Sequence, residues 1–219
     1  MSGAGGRLID ISPRISARIG VWPGDVPFRR IEALRLGDGA NIDLSSITTT
    51  LHVGAHVDAP SHYVAAGASI DRRPLDLYFG PCQVISVALP RGARIRPADF
   101  AAPVKAPRIL FRTGSFPDPD AFTTDFNSLS PELVDHLATR EVRLIGIDTP
   151  SVDPFDDRAL EAHHALDRHD MANLEGIVLE HVPDGLYTLI ALPLAIEGAD
   201  ASPVRAALSG SAIDPGSRI

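Results

Sequence analysis

The sequence has one cysteine, few aromatic residues and no long apolar run. A single cysteine, Cys82, excludes a disulfide within the chain, which is typical of proteins in reducing, cytoplasmic surroundings. The longest apolar stretch, residues 186–196, is shorter than the roughly 18–20 residues of a membrane-spanning helix and contains Pro193. The first twelve residues lack the apolar core of a secretory signal. We therefore expect a cytoplasmic protein outside the membrane.

Positive charge is also scarce. Twenty lysines and arginines oppose 28 acidic residues, which gives a net charge of −8 and a pI near 5.4. A nucleic-acid-binding surface needs a basic footprint, and an anionic membrane surface repels an acidic chain, so we expect neither partner. Hydrophobic residues make up 44 % of the 219 residues, which is enough for a folded core. We expect one domain over residues 1–219.

Strand-like segments outnumber helical ones. The predicted strands are residues 7–11, 42–53, 83–89, 108–113, 142–147, 177–181 and 186–192. One predicted helix covers residues 130–140, with Ser130 as its N-cap and Pro131 at its first position. The other covers residues 156–169 and is rich in Ala, Leu and Glu. The strand at 142–147, the helix at 156–169 and the strand at 177–181 predict one βαβ unit within a mixed, strand-rich sheet, so the expected class is α/β.

Residues 51–63, LHVGAHVDAPSHY, place three histidines and an aspartate within eleven positions. Imidazole and carboxylate groups are ligands of borderline divalent metals such as zinc. A straight strand would hold His52 and His56 roughly 13 Å apart, and a glycine and a proline disfavour a helix. A strand that ends near His52 and turns at Gly54 can bring these histidines and Asp58 around one centre. The alternative is a polar loop whose histidines only form hydrogen bonds.

A second polar cluster lies within residues 160–176. On a helix, the adjacent His163 and His164 point about 100° apart, so only one can face a site, and spacing does not decide which. Glu175 is flanked by Leu174 and a glycine, and a carboxylate in such an apolar setting needs a partner. That partner is either a metal ion or an ordinary ion pair. Three histidines and two carboxylates suffice for a two-metal centre.

Four further side chains have alternative interpretations. The ordinary pKa of histidine, near 6.5, makes His62 a candidate general acid or base. Asp148 follows a predicted strand, and capping of a turn is favoured over an active-site role. Trp22 adjoins a Pro-Gly turn and either packs in the core or stacks on an aromatic substrate. Cys82 is interpreted as a packed core thiol.

The segment HVGAHVDAPSH resembles the His-x-Gly-[Thr/Ala]-His-x-Asp-x-Pro-x-His motif of the cyclase-like metal-dependent hydrolases. The stretches VWPGD, GIDTPSVDP, AHH…MANLEGIVLE and IALPL…DASPVRA are similar too, so the resemblance covers about residues 7–208. The tryptophan and the later segments resemble the branch that hydrolyses N-formyl-L-kynurenine. The resemblance implies a swivelling β/β/α fold and a homodimer.

The resemblance also implies a binuclear zinc site. His52, His56 and Asp58 would bind the first zinc ion. Asp58 and Glu175 would bridge to the second ion, and His163 would complete its ligand set. The family pattern thus selects His163 over its neighbour.

The same resemblance gives the remaining roles and the reaction. His62 would donate or accept the proton, and Trp22 would contact the substrate. The implied reaction is hydrolysis of an aryl formamide, N-formyl-L-kynurenine, to L-kynurenine and formate in tryptophan degradation. The alternative is a related hydrolase that acts on isatin or another cyclic amide, because the metal-binding residues would be shared.

Overall fold

A computed structural model describes residues 8–210, and a mixed seven-stranded sheet is its largest element. The strands are β1 (Leu8–Asp10), β2 (Arg29–Leu34), β3 (Leu44–Thr48), β4 (His56–Asp58), β5 (Phe79–Ser86), β6 (Arg94–Ile95), β7 (Arg108–Arg112), β8 (Ser128–Leu129), β9 (Leu144–Ile147), β10 (Ala172–Leu174), β11 (Gly185–Ile190), β12 (Ala201–Pro203) and β13 (Ala207–Ser209), and the helices are α1 (Pro131–Ala138) and α2 (Glu161–Arg168). The order in the sheet is β1-β13-β11-β5-β7-β9-β10. Strands β5, β7, β9 and β10 pair in parallel, whereas the other pairs are antiparallel. The predicted α/β class is confirmed.

The two faces of the sheet bury different cores because successive strand residues point to opposite sides. Ile109 and Phe111 of β7 share a cluster with the buried residues of α1 and α2. Leu110, between them, belongs to a second cluster that includes Val57 of β4. Strand β4 pairs with β12 in a small separate sheet. The strand pair β4–β12, the large sheet and the two helices therefore form three layers, which is the predicted β/β/α arrangement.

Helix α1 follows its sequence signals closely. The hydroxyl of Ser130 accepts a hydrogen bond from the backbone N–H of Leu133, and Pro131 occupies the first helical position. Leu133 and Leu137 are fully buried against the sheet. Helix α2 is shorter than the predicted 156–169, because Leu160 adopts a left-handed conformation with φ of 48° and the helix begins only after it.

The predicted strand at 177–181 is wrong. The strand that completes the βαβ unit lies earlier, at 172–174, where β10 pairs in parallel with β9. Gly176 has a φ of 64°, and its backbone N–H donates to the carbonyl of Thr149, which turns the chain away from β9. Ile177 and Leu179 remain buried in irregular chain, so their apolar alternation was mistaken for a strand.

The other predicted strands are present with shifted bounds. The segment 42–53 contains only β3, and the chain from 51 to 55 turns. The first residue of the predicted strand 7–11 lies outside the described residues. Cys82 is fully buried in the core, and burial raises the pKa of its thiol to about 12. No helix between residues 8 and 210 is long and apolar enough to span a bilayer. The domain bounds 1–219 stay a prediction.

Candidate functional site

The His-rich motif folds back on itself at Gly54. This glycine has a φ of 61°, which favours glycine, and the turn allows His52 to approach the start of β4. His56 and Asp58 are two residues apart on β4 and lie on one side of it, both buried. Nδ1 of His52 is 2.9 Å from Oδ1 of Asp58, and Nε2 of His56 is 3.7 Å from the same oxygen. The three side chains surround one centre, as the motif predicted.

The second cluster joins the same centre. Glu175 directly follows β10 and forms a backbone bridge with His56, and its Oε2 is 3.1 Å from Nε2 of that histidine. His163 of α2 points inward, with Nε2 3.3 Å from Oδ2 of Asp58 and 3.6 Å from Oε1 of Glu175. His164 is exposed. The helix therefore presents His163, which the spacing alone had left undecided.

The hydrogen bonds of the imidazoles show that this centre suits a cation. Nδ1 of His56 is 2.9 Å from the carbonyl oxygen of Gly54, to which it can only donate. Its Nε2 faces the carboxylate oxygens of Asp58 and Glu175. Asp58 Oδ1 is buried and accepts no hydrogen bond from the described residues, although Nδ1 of His52 is close. Acceptors that face one another across a buried space require a positive charge between them.

The pKa values of two histidines also show that the site favours positive charge. Burial alone would lower the pKa of His163, but Asp153, Asp58 and Glu175 outweigh burial and raise it to about 10. Burial likewise opposes the positive charge of His52, yet the nearby carboxylates of Asp58 and Asp200 raise its pKa to about 9. The carboxylates thus favour positive charge at both imidazoles. Two groups of potential metal ligands overlap at Asp58, one with His52 and His56 and the other with His163 and Glu175.

Three polar residues around the centre were missed from the sequence. Asn173 donates from Nδ2 to Asp58 and to Glu175, at 2.7 and 2.9 Å. Asp153 is fully buried, with Oδ2 2.7 Å from Nδ1 of His163. Asp200 lies beside His52, with Oδ2 3.0 Å from Nε2 of that histidine. Asn173 stands two residues before Glu175 on β10, a spacing that places both on one face and could have revealed it.

His62 lies on the wall of the cavity that opens from the centre. The residue belongs to a short 3-10 turn that begins at Pro60, and its side chain is 35 % exposed. Its ring centroid is 4.3 Å from that of His52 and 6.1 Å from that of His163. Burial is the main reason why its pKa is lowered. The imidazole is close enough to reach a group bound in the cavity.

The cavity is about 280 Å³ and largely apolar. Trp22 lines it and stacks on Phe155 with centroids 4.9 Å apart, while Phe122 meets the indole edge-on at 5.6 Å. Trp22 is thus a partly exposed wall residue, supported by an aromatic cluster behind it. Asp148 also lines the cavity, but its carboxylate accepts hydrogen bonds from Thr113 and Gly114, which agrees with the favoured capping role.

Comparison with known proteins identifies the family. The model of the Cyclase family, described as "Putative cyclase", matches residues 9–154. The chain belongs to this family. It is 45 % identical to the kynurenine formamidase of Maricaulis maris (strain MCS10), over 92 % of this chain and 97 % of that protein. Its membership confirms the resemblance carried by the His-rich motif.

Solved structures of related proteins agree with this assignment. A "Potential Metal-Dependent Hydrolase With Cyclase Activity" is 27 % identical, with a TM-score of 0.79 over 92 % of this chain and 96 % of that chain. Isatin hydrolase A of Labrenzia aggregata, 22 % identical, has a TM-score of 0.80 and covers 96 % of both chains, which shows the fold. The chain is therefore an enzyme, a hydrolase of the cyclase family, and the clusters described above suit a metal ion.

Proposed function

We propose that the chain is a zinc-dependent kynurenine formamidase that hydrolyses N-formyl-L-kynurenine to L-kynurenine and formate in tryptophan degradation. The likeness to the Maricaulis maris enzyme, 45 % identical along nearly the full length of both proteins, carries this proposal. A buried cation centre that opens into an aromatic cavity supports it independently. An aryl formamide needs an apolar wall for its ring and a polar centre for its carbonyl group.

Two zinc ions per chain would be held by the five buried or half-buried ligands. His52, His56 and Asp58 would hold one ion, and Asp58 with His163 and Glu175 would hold the other. Imidazole and carboxylate without cysteine is the ligand chemistry of catalytic rather than structural zinc sites. Bound zinc supplies Lewis acidity, which makes water nucleophilic near neutral pH and polarises a carbonyl group.

His62 and Trp22 would act on the organic part of the substrate. The leaving group is an aryl amine, which departs poorly as an anion, so its nitrogen must gain a proton as the C–N bond breaks. His62 would take a proton from water and deliver it to that nitrogen. Trp22, braced by Phe155, would stack on the aryl ring and orient the formamide toward the centre.

A cytoplasmic homodimer is part of the same proposal. Its support is the family resemblance and a hairpin, β2–β3, whose residues are all exposed. Ile31 and Ile47 on this hairpin are 55 % and 62 % exposed. A two-stranded hairpin is marginally stable in water unless it is covered, and a second copy of the chain would cover it. Light scattering of the purified protein measures the number of copies.

The decisive experiment combines metal analysis with a substrate panel. We expect two zinc ions per chain, and formate release from N-formyl-L-kynurenine that clearly exceeds the hydrolysis of isatin and of formanilide. Isatin is the matched control because its cyclic amide yields no formate. A preparation that hydrolyses isatin faster would support the alternative function. Full activity after removal of all divalent ions would contradict the zinc-dependent mechanism.

A further inference from the structure

The loop between β9 and α2 touches two of the proposed metal ligands, Glu175 and His163. The backbone N–H of Val152 donates to Oε1 of Glu175 at 2.9 Å. The next residue, Asp153, faces His163 and is fully buried. The loop itself is anchored, because the carbonyl oxygen of Val152 accepts a hydrogen bond from the backbone N–H of Leu129 at 2.8 Å. Two ligands from different elements therefore share one anchored support.

Asp153 binds the start of helix α2 with both of its carboxylate oxygens. The helix begins after Leu160, whose side chain makes no capping hydrogen bond. The first N–H groups of a helix have no partner within it. Oδ1 of Asp153 accepts the N–H of Ala162 at 2.9 Å, and Oδ2 accepts the N–H of His163 at 3.0 Å. A carboxylate from outside the helix thus replaces the missing cap, and its negative charge suits the positive end of the helix dipole.

The same carboxylate also holds the ring of His163. Its Oδ2 lies 2.7 Å from Nδ1 of the ring while it accepts the backbone N–H of the same residue. One oxygen atom therefore contacts both the backbone and the side chain of this ligand. Nε2, at the other end of the ring, points at Asp58 and Glu175, at 3.3 and 3.6 Å. Because adjacent helical residues point about 100° apart, a rotation of α2 would move Nε2 away from the centre.

Arg94 holds Asp153 from the other side. Its guanidinium group is 3.3 Å from Oδ1 of Asp153 and also binds Asp157 and Glu161. Because Glu161 is the first residue of α2, the arginine joins the loop to the helix. A buried carboxylate needs partners of this kind. The loop, the arginine and the helix thus form one connected network.

We infer that Asp153 is a positioning residue that sets the direction of His163 in the metal centre. It holds the first turn of α2 and the imidazole ring together, so that Nε2 faces Asp58 and Glu175. Loss of such an outer partner typically lowers metal affinity by about 10- to 100-fold. The effect on a two-zinc centre rests on the proposed function, whereas the contacts with α2 do not depend on the substrate.

The first test is amide hydrogen exchange of the purified full chain. We expect the amide hydrogens of Ala162 and His163 to be protected, although they lie in the first turn of a helix. Asp153→Ala should speed their exchange at least about 10-fold, because each loses a hydrogen bond to a charged group. Asp157→Ala is the matched control, because Asp157 lies in the same loop but accepts the N–H of Ala159, before the helix begins. Unchanged exchange in Asp153→Ala would overturn the inference.

The second test is zinc binding, measured by competition with a chromophoric chelator. In Asp153→Ala one of the two ions should bind about 10- to 100-fold more weakly. The other ion, proposed to be held by His52, His56 and Asp58, should change little. Asp157→Ala should bind both ions with wild-type affinity. Wild-type affinities in Asp153→Ala, or equal weakening of both ions, would contradict a role in directing one ligand.

A second variant separates positioning from the filling of space. Asp153→Asn keeps the volume of the side chain but has one acceptor oxygen instead of two, so it should weaken the same ion as Asp153→Ala. If the alanine variant does not fold, wild-type zinc affinity in the asparagine variant overturns the inference. If the wild-type chain binds fewer than two zinc ions, the proposed two-zinc centre fails, while the exchange of the two amide hydrogens still decides whether Asp153 holds α2.

Discussion

At the scale of single residues, Asn173 explains how two carboxylates remain together in a buried site. Asp58 and Glu175 both lie in the centre, where like charges repel each other strongly because little water screens them. The amide of Asn173 donates one hydrogen to each of them. Its own Oδ1 accepts the backbone N–H of Asp58 at 3.3 Å, which fixes the direction of the amide.

Replacement of Asn173 by alanine should therefore weaken metal binding. We expect the zinc affinity to fall by about 10- to 100-fold and the free energy of unfolding to fall by about 1–3 kcal/mol, since two acceptors lose their donor. Competition with a chromophoric chelator and denaturant unfolding measure the two effects. Asn127→Ala is the matched control, because Asn127 is also buried but donates to Pro90 and Ala93. Equal zinc affinities in both variants would contradict this role.

His62→Ala should separate proton transfer from metal binding. We expect kcat to fall by about 100- to 10,000-fold while zinc stoichiometry stays at the wild-type value. His62 lies on the cavity wall and belongs to neither group proposed to hold zinc, although it forms a third candidate group with His52 and Asp200. Formate release and metal analysis check both parts. His164→Ala, a change of the same kind at an exposed position, should retain wild-type kcat. Retained activity in His62→Ala would exclude His62 as the proton carrier.

At the scale of elements, the site depends on a close approach between two turns. Gly176 directly follows Glu175, just past the end of β10, and a Cβ atom added there would lie 2.2 Å from the carbonyl oxygen of Gly54. The turn that exposes Glu175 to the centre and the turn that brings His52 back toward β4 are thus packed backbone against backbone. Only glycine fits at position 176.

Gly176→Ala should consequently disrupt the centre. Both Gly176 and Gly114 have nearly the same φ, 64° and 66°, but Gly114 has open space where a Cβ would be. We expect Gly114→Ala to lower the free energy of unfolding by about 1–2 kcal/mol, because alanine disfavours the left-handed backbone. Gly176→Ala should lower the free energy of unfolding clearly more, and it should also lower the affinity for zinc. If thermal unfolding and chelator competition give the same result for both variants, the close approach is unimportant.

How much the sequence could predict also differs among the elements. Helix α1 was predictable because Ser130 and Pro131 are local signals that the structure uses directly. Strands of two or three residues, such as β4 and β12, are too short for a period of two to be recognised. The strand at 177–181 was wrong because buried irregular chain and a buried strand have the same apolar pattern.

The ligand-type residues of the site could be predicted from local sequence, whereas Asp200, which lies beside His52, could not. His52, His56 and Asp58 stand within seven positions, so their chemistry is visible locally. The contribution of Asp200 depends on the pairing of β12 with β4, which brings together residues 148 positions apart. Such a partner follows from tertiary structure, and no local pattern marks it.

At the scale of the whole molecule, metal should stabilise the fold, because ligands from β4, α2 and the end of β10 meet only in the folded chain. At a zinc concentration 100 times the Kd, binding raises the free energy of unfolding by about 2.7 kcal/mol. For a chain of this length that raises Tm by about 5–10 °C. Calorimetry with and without a chelator measures the shift, and re-addition of zinc should restore it. A double variant, His52→Ala with His163→Ala, should show no response.

The order of the strands also governs when the sheet can be completed during protein synthesis. In the described sheet β1 has one neighbour, β13, and Leu8 is paired with Ser209. Among residues 8–210, β1 therefore stays unpaired in the sheet until β13 has been translated. A chain truncated before Ala207 would leave β1 without a partner and β11 at an open sheet edge, and such an edge invites aggregation.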